Sequence, residues 1–438
     1  MKLYDKADLP KKVRLSGADC FHLVLDKHAK KHQAGGNVMR KIIYFNNALC
    51  PDTINTVLQS SLLIHWLCNI ELVPGSLLTI PYWKYADKGN KITVREHQHG
   101  VADELPAGIL SRDIPVNADV FIDCDIVHYP SGNCSLVISW NHILMDGKGN
   151  SLLIKHLDAV ANGEESKIAS FFPAREKKPN ILRYIINMYQ VKKFVQDSSK
   201  RPISSVADKA VKSASSTAYK TIHFNNEKTE KITGNAYTCG ARFGNTIFYI
   251  ACCAHVINKL NQQRGKNGVI WLPVPYDGRL RGATGPVISN CVAFLFYRIP
   301  QTALTGIRET VKCISDQMTN QIKNKRPQKY TLFLNMMRHL PLGIYYRFIN
   351  YSSRGVFASF LYTSTGENFA DLKHLFGQQV RDITILPALT FPPGLTFVFL
   401  KHNNGLNVNI AYSPDIVTKD ELFDIEQKLQ QLLLNNYS

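Results

Sequence analysis

The run from Leu136 to Asn150 constrains this chain most tightly. Leu136-Val-Ile-Ser-Trp140 reads as a strand, and Asn141-His-Ile-Leu-Met-Asp-Gly147 then sets a histidine and an aspartate at H-x-x-x-D-G spacing. After it, Leu152, Leu153, Ile154, Leu157 and Val160 share one helical face. A strand that stops at Trp140 presents His142 at its end, where an imidazole can accept a proton from a hydroxyl or an amine. Gly147 is expected in a turn with φ > 0, and Gly149-Asn150-Ser151 as the cap of the following helix. Asp146 follows His142 on a tight loop and reads as the group that fixes the loop rather than as a relay partner. The bland alternative for His142 is a core histidine bonded to a neighbouring carbonyl.

Length and composition narrow what can surround this motif. With 438 residues, 45% of them hydrophobic, the chain can bury a large core and is expected to form two domains or two similar halves. No stretch reaches the roughly 18 to 20 apolar residues of a membrane span, and the first residues lack the apolar core of a secretory signal, so a cytoplasmic protein is expected. The ten cysteines lie in apolar runs without C-x-x-C or zinc spacing and read as reduced core thiols. His28 and His32 stand at helical spacing without a glutamate after the first, so no metal site is expected.

The net charge of +18, from 52 Lys+Arg against 34 Asp+Glu, favours an anionic partner. No nucleic-acid motif accompanies it, which leaves anionic cofactors, acidic carrier proteins and anionic lipid surfaces. The excess is concentrated: residues 167–220 hold 12 Lys+Arg against the three acids Glu176, Asp197 and Asp208. That composition divides the chain into a first half over 1–165, a basic connection over 166–220 and a second half over 221–438. Within the connection, Ile181 to Val195 is amphipathic. It reads either as a membrane-surface helix or, more simply, as a helix packing on the neighbouring domain.

In the first half, strands are expected over Val38–Phe45, Asp119–Val127 and Ser135–Trp140, with helices over Asp52–Leu67 and Ser151–Val160. The second half is expected to hold a strand at Thr221–Phe224, a helix at Asn245–Leu260 and strands at Val269–Val274 and Asn290–Arg298, the last buried on both faces. A hairpin follows around Asn403-Asn404-Gly405, and then a helix from Lys419 opened by a Thr418/Glu421 capping box. The pattern is an α/β layer architecture.

In this order the features resemble the acyl-coenzyme A dependent acyltransferase superfamily. That group includes chloramphenicol acetyltransferase, plant BAHD acyltransferases, condensation domains of peptide synthetases and wax ester synthase/diacylglycerol acyltransferases. Ala18-Asp-Cys-Phe-His-Leu is similar to the family's D-x-F-x-L opening, and Asn141–Gly147 to its H-H-x-x-x-D-G. Phe243-Gly-Asn-Thr resembles its helix start, Val274-Pro-Tyr-Asp-Gly-Arg279 its V-P-x-x-x-R, and Ser289-Asn290 with Ile299-Pro300 its G-N…L-P strand. Two positions depart from the pattern, Asn141 for the first histidine and Thr246 for an aspartate.

The resemblance implies two chloramphenicol acetyltransferase-like halves, each a mixed sheet with helices, facing each other across an active-site channel. His142 would be the general base and no covalent acyl-enzyme would form. The oxyanion donor would be Asn245 or a backbone N–H after His142, with Gly147 in the site and Asn141 and Asn290 on the channel. Arg279 or Arg281 would pair with Asp146. A coenzyme A thioester would be the co-substrate, with no bound cofactor. An acyl-CoA or an acyl carrier protein would donate, and a small alcohol, lipid or amine would accept. A monomer that binds no nucleic acid is expected, with peripheral membrane contact left open and a catalytically silent binding protein as the remaining reading. Leu332–Phe348, which carries Met336-Met337 and Tyr345-Tyr346, reads as core that could also line an acyl tunnel.

Overall fold

The computed structural model describes residues 6–437 apart from 33–35, 77–78, 165–167, 175–180, 208–212, 214–215, 281, 354–356 and 366–371. Val38–Phe45 is buried along its whole length because it runs inside a six-stranded mixed sheet. The spatial order is His374–Leu375, Gln378–Leu386, Val38–Phe45, Cys134–Asn141, Ile122–His128 and Arg95–Gln98. All pairs are antiparallel except the last, which is parallel. The strand Gln378–Leu386 comes from the far end of the chain yet pairs with Val38–Phe45, setting Ile383 opposite Ile43.

A second mixed sheet orders Leu361–Ser364, Leu395–His402, Gly405–Tyr412 and Ala218–Phe224. Its hairpin turns on Asn403 and Asn404, with φ of 44° and 63°, the left-handed pair that a two-residue turn needs and that asparagine tolerates. Smaller sheets pair Ile270–Asp277 with Val292–Ile299, and Lys12–Arg14 and Ile70–Val73 with Tyr82–Tyr85. Two principal cores follow the two larger sheets. One gathers Ile43, Trp66, Leu136 and Trp140, and recruits Val287, Ile383 and Val398 from late in the chain. The other gathers Ile257, Phe397, Ile410 and Leu429. The closing helix Lys419–Leu434 carries the Thr418/Glu421 capping box and buries Leu422, Ile425, Leu429 and Leu433.

Several local expectations need correction. The helix expected over Asp52–Leu67 is two, Pro51–Ser60 and Leu62–Cys68, because Ser61 is extended and its Oγ caps the second by accepting from the Ile64 N–H. The helix after the H-x-x-x-D-G loop starts at Gly147 and is capped by Asp146, not by the Gly149-Asn150-Ser151 group. Gly147 is helical rather than at positive φ, and a Cβ there would meet open space. Gly149 is the constrained glycine: a Cβ would come within 2.4 Å of the Val287 carbonyl oxygen, so its absence permits close approach of the two halves.

The amphipathic stretch forms the helix Ile181–Ser198. Val191 is buried, whereas Ile185, Ile186 and Tyr189 are exposed. Contacts to the helix Arg326–Met337 hold it, with Lys329 Nζ donating to Gln190 Oε1 at 3.0 Å and the Arg326 guanidinium 4.8 Å from the Phe194 ring. Among the described residues no helix is long and apolar enough to cross a membrane.

Candidate active site

The end of strand Cys134–Asn141 sits against a cavity of about 870 Å³. Its wall takes residues from both sheets: Met39 and Ile385 from the first, Tyr362, Thr396 and Val398 from the second. His142, Asp146, Gly147 and Arg279 also line it.

The loop that presents His142 is strapped at every step. The His142 N–H donates to the Asn37 carbonyl at 2.8 Å, and its carbonyl accepts from Asn290 Nδ2 at 2.8 Å. Trp140 Nε1 donates across the loop to the Met145 carbonyl, and Asn141 Oδ1 accepts from the Ile143 N–H. Asp146 is a three-way anchor: Oδ1 accepts from the Gly149 N–H at 2.8 Å, and Oδ2 accepts from the Cys291 N–H at 2.8 Å and from Arg279 Nη1 at 2.9 Å. The Asp146 and Arg279 side chains are only 6% and 2% exposed, so Asp146 depends on Arg279, which also reaches the half-exposed Asp277 at 3.1 Å. Arg279 also donates to the Pro286 carbonyl, which ties its loop down.

His142 is half-buried on the cavity wall, and its Nδ1 is enclosed without a hydrogen-bond partner. Burial holds its pKa below the ordinary imidazole value; its own carbonyl, Asp146 and Asn290 oppose that only in part. A neutral imidazole is what a proton acceptor requires. The acid limb of kcat/KM should therefore fall with a midpoint below the free-imidazole value of 6.5. A pH–rate series that lost activity already between pH 7 and 6.5 would contradict this assignment.

Three of the site expectations are corrected by the geometry. Asn141 is fully buried and does not reach the channel; its Nδ2 donates to the Ile114 carbonyl. Asn290 is likewise buried and acts as a strap, bonding Asp19 Oδ1 through both its N–H and its Nδ2. Asn245 is absent from the cavity lining, because it stands at the start of helix Thr246–Gln263 with its amide held by Thr233 Oγ1 and Tyr249 OH. Arg281 lies outside the described residues.

Other residues complete the site. Asp19 caps its own helix through Ser16 and receives Ser289 Oγ and Asn290, so it ties the first helix to the second half. Burial raises its pKa against those hydrogen bonds. Lys41 is fully buried under the loop, donating to Ser151 Oγ at 3.0 Å, and burial pushes its pKa well down. His22, on helix Gly17–Lys31, lies face to face with His142. The signal for His22 is the polar row Asp19, His22 and Asp26, at helical spacing among the buried residues of its helix.

The rest of the cavity is aromatic. Strand Val292–Ile299 is apolar on both faces for two reasons: Leu295, Tyr297 and Ile299 enter the second core, while Val292, Phe294 and Phe296 face the cavity. Tyr330, Phe333 and Phe348 from the two helices Arg326–Met337 and Leu342–Ser353 close over them. Lys148, Lys192, Lys200 and Arg201 also stand on the wall. Among the described residues no group of three or more metal-ligating side chains comes together.

No family model and no curated protein matches the sequence. Solved structures do match the fold. The trichothecene 15-O-acetyltransferase from Fusarium sporotrichioides is similar at a TM-score of 0.71 and 13% identity, over 97% of this chain and 95% of that one. The first condensation domain of the calcium-dependent antibiotic synthetase, in complex with a substrate analogue, is similar at 0.69 and 13%, over 98% and 97%. The starter condensation domain of rhizomide synthetase, a double mutant in complex with C8-CoA and Leu-SNAC, is similar at 0.64 and 12%, over 97% and 94%. The two facing mixed-sheet halves are thus the chloramphenicol acetyltransferase-like fold of condensation domains and acyltransferases.

Proposed function

We propose that the protein transfers an acyl group from a thioester, acyl-CoA in the first instance, to a hydroxyl or amine acceptor. One observation carries this reading: an imidazole held by a strapped loop on the wall of a large cavity shared by two halves. His142 Nε2 takes the proton of the acceptor as its oxygen or nitrogen attacks the thioester carbon. The carbon–sulfur bond then breaks, and the departing thiolate takes that proton back, so the imidazole ends as it began. Asp146 and Arg279 do not move protons; they hold the loop.

The lining supports a substrate with a sizeable apolar part, since Phe294, Phe296, Tyr330 and Phe333 offer it a dry, aromatic wall. Lys148, Lys192, Lys200 and Arg201 suit the phosphates of coenzyme A. The likeness to condensation domains supports a second reading, a donor carried on an acidic carrier protein docked by electrostatic attraction.

A panel of acyl-CoAs of increasing chain length, assayed by the free thiol released with alcohol and amine acceptors, separates these readings. Turnover with micromolar acyl-CoA alone, weakening as salt rises, is the expected result. Turnover only with a loaded carrier protein would move the donor to the second class.

A further inference from the structure

Two imidazoles meet at the cavity wall where the chemistry above uses one. The rings of His22 and His142 lie with centroids 3.8 Å apart and planes inclined by 24°, and both residues line the cavity. The hydrogen-bond environment of His22 fixes its tautomer. Asn37 Nδ2 lies 3.3 Å from the His22 carbonyl oxygen and 3.3 Å from His22 Nδ1. A carbonyl oxygen can only accept, so the amide end facing it is the NH2. The same NH2 therefore donates to Nδ1, which must carry the lone pair, and the ring proton sits on Nε2.

Asn37 is itself held from behind. Its N–H donates to Asp26 Oδ1, and Asp26 pairs with Lys30 at 2.8 Å. Burial, and after it the adjacent His142, keeps the His22 pKa well below the ordinary imidazole value, so the ring stays neutral at pH 7. His142 offers a lone pair, and His22 offers a proton that it does not need to give up.

We propose that His22 Nε2–H donates a hydrogen bond to the reacting oxygen of the substrate held against His142. This rests on the acyl-transfer reading of the cavity. As the acceptor attacks, the thioester carbonyl oxygen takes the electron pair of its π bond, and the His22 N–H steadies that charge without transferring its proton. The pair returns to re-form the carbonyl as the carbon–sulfur bond breaks. His22 thereby fills the role for which Asn245 is turned the wrong way.

Long-range ¹H–¹⁵N spectra of the labelled protein read the tautomer without any turnover, with the His22 signals assigned by their loss in His22→Gln. The expected result is a neutral Nε2–H ring at pH 7; an Nδ1–H or a protonated ring overturns the proposal. Kinetics with an acyl-CoA that the wild type uses give the second arm. His22→Phe keeps a stacked ring but loses the donor, and should lower kcat by about 10² to 10³ with KM moved less than about threefold. His22→Gln, which can set an N–H near the Nε2 position, should recover at least about tenfold of that loss. Equal rates in all three proteins, or equal losses in both variants with matching losses of melting temperature, overturn the role of His22 and leave acyl transfer standing. A wild type that releases no thiol from any acyl-CoA or loaded carrier sinks the acyl-transfer reading and this proposal with it.

Discussion

Replacing His142 with alanine is expected to lower kcat/KM for acyl transfer by about 10² to 10⁴. The melting temperature should move by no more than about 2 °C. The loop backbone explains the separation of the two effects. The main-chain N–H and carbonyl of His142 are held by Asn37 and Asn290 whatever the side chain is, and Asp146 anchors the helix that follows. What the alanine loses is the imidazole and its stacking on His22, worth roughly 0.5 to 1.5 kcal/mol. Steady-state kinetics beside a thermal melt test this directly, and an alanine variant with wild-type turnover would end the general-base assignment.

Asp146→Asn should behave in the opposite way, harming stability and rate together. An asparagine can still cap the helix and accept from the Gly149 N–H, so the capping loss is small. The Arg279 guanidinium, with its side chain 2% exposed, loses its buried counter-ion and keeps only the half-exposed Asp277 carboxylate 3.1 Å away, and breaking one side of a buried pair costs up to about 3 to 5 kcal/mol. Denaturant titration should show that loss, and adding Arg279→Met to the same chain should return part of it, because no buried charge then lacks its buried partner. If Asp146→Asn matched the wild type in both midpoint and rate, the anchoring role would be wrong.

The sequence made much of this site legible, because the deciding interactions are local. A strand leading into the H-x-x-x-D-G loop, a helix after it and a hairpin at Asn403-Asn404 each follow from periodicity or turn chemistry within a few residues, although the helix opens at Gly147 rather than at the expected Ser151. Asp146 as a buried carboxylate demands an arginine, and Arg279 is the one the described structure supplies. The failures share one origin. Asn141, Asn245 and Asn290 have the same short amide, and only long-range placement decides whether it faces a cavity, a helix end or a carbonyl on the other half. His22 is not legible from local sequence because its partner in space, His142, lies 120 residues away. The run Asn290–Arg298, expected to be buried on both faces, has one face on the second core and the other on the cavity, since a cavity wall and a core select the same side chains.

The strand Gln378–Leu386 has a consequence for how the chain is made. It pairs with Val38–Phe45 inside the first sheet, so a nascent chain emerging from the ribosome exposes that apolar strand with an open edge until more than three hundred further residues have been translated. The first half cannot close on its own. Ribosome-bound intermediates stalled before residue 378 should therefore depend on chaperone protection, and a fragment ending near residue 165 should aggregate on release rather than fold as an independent unit.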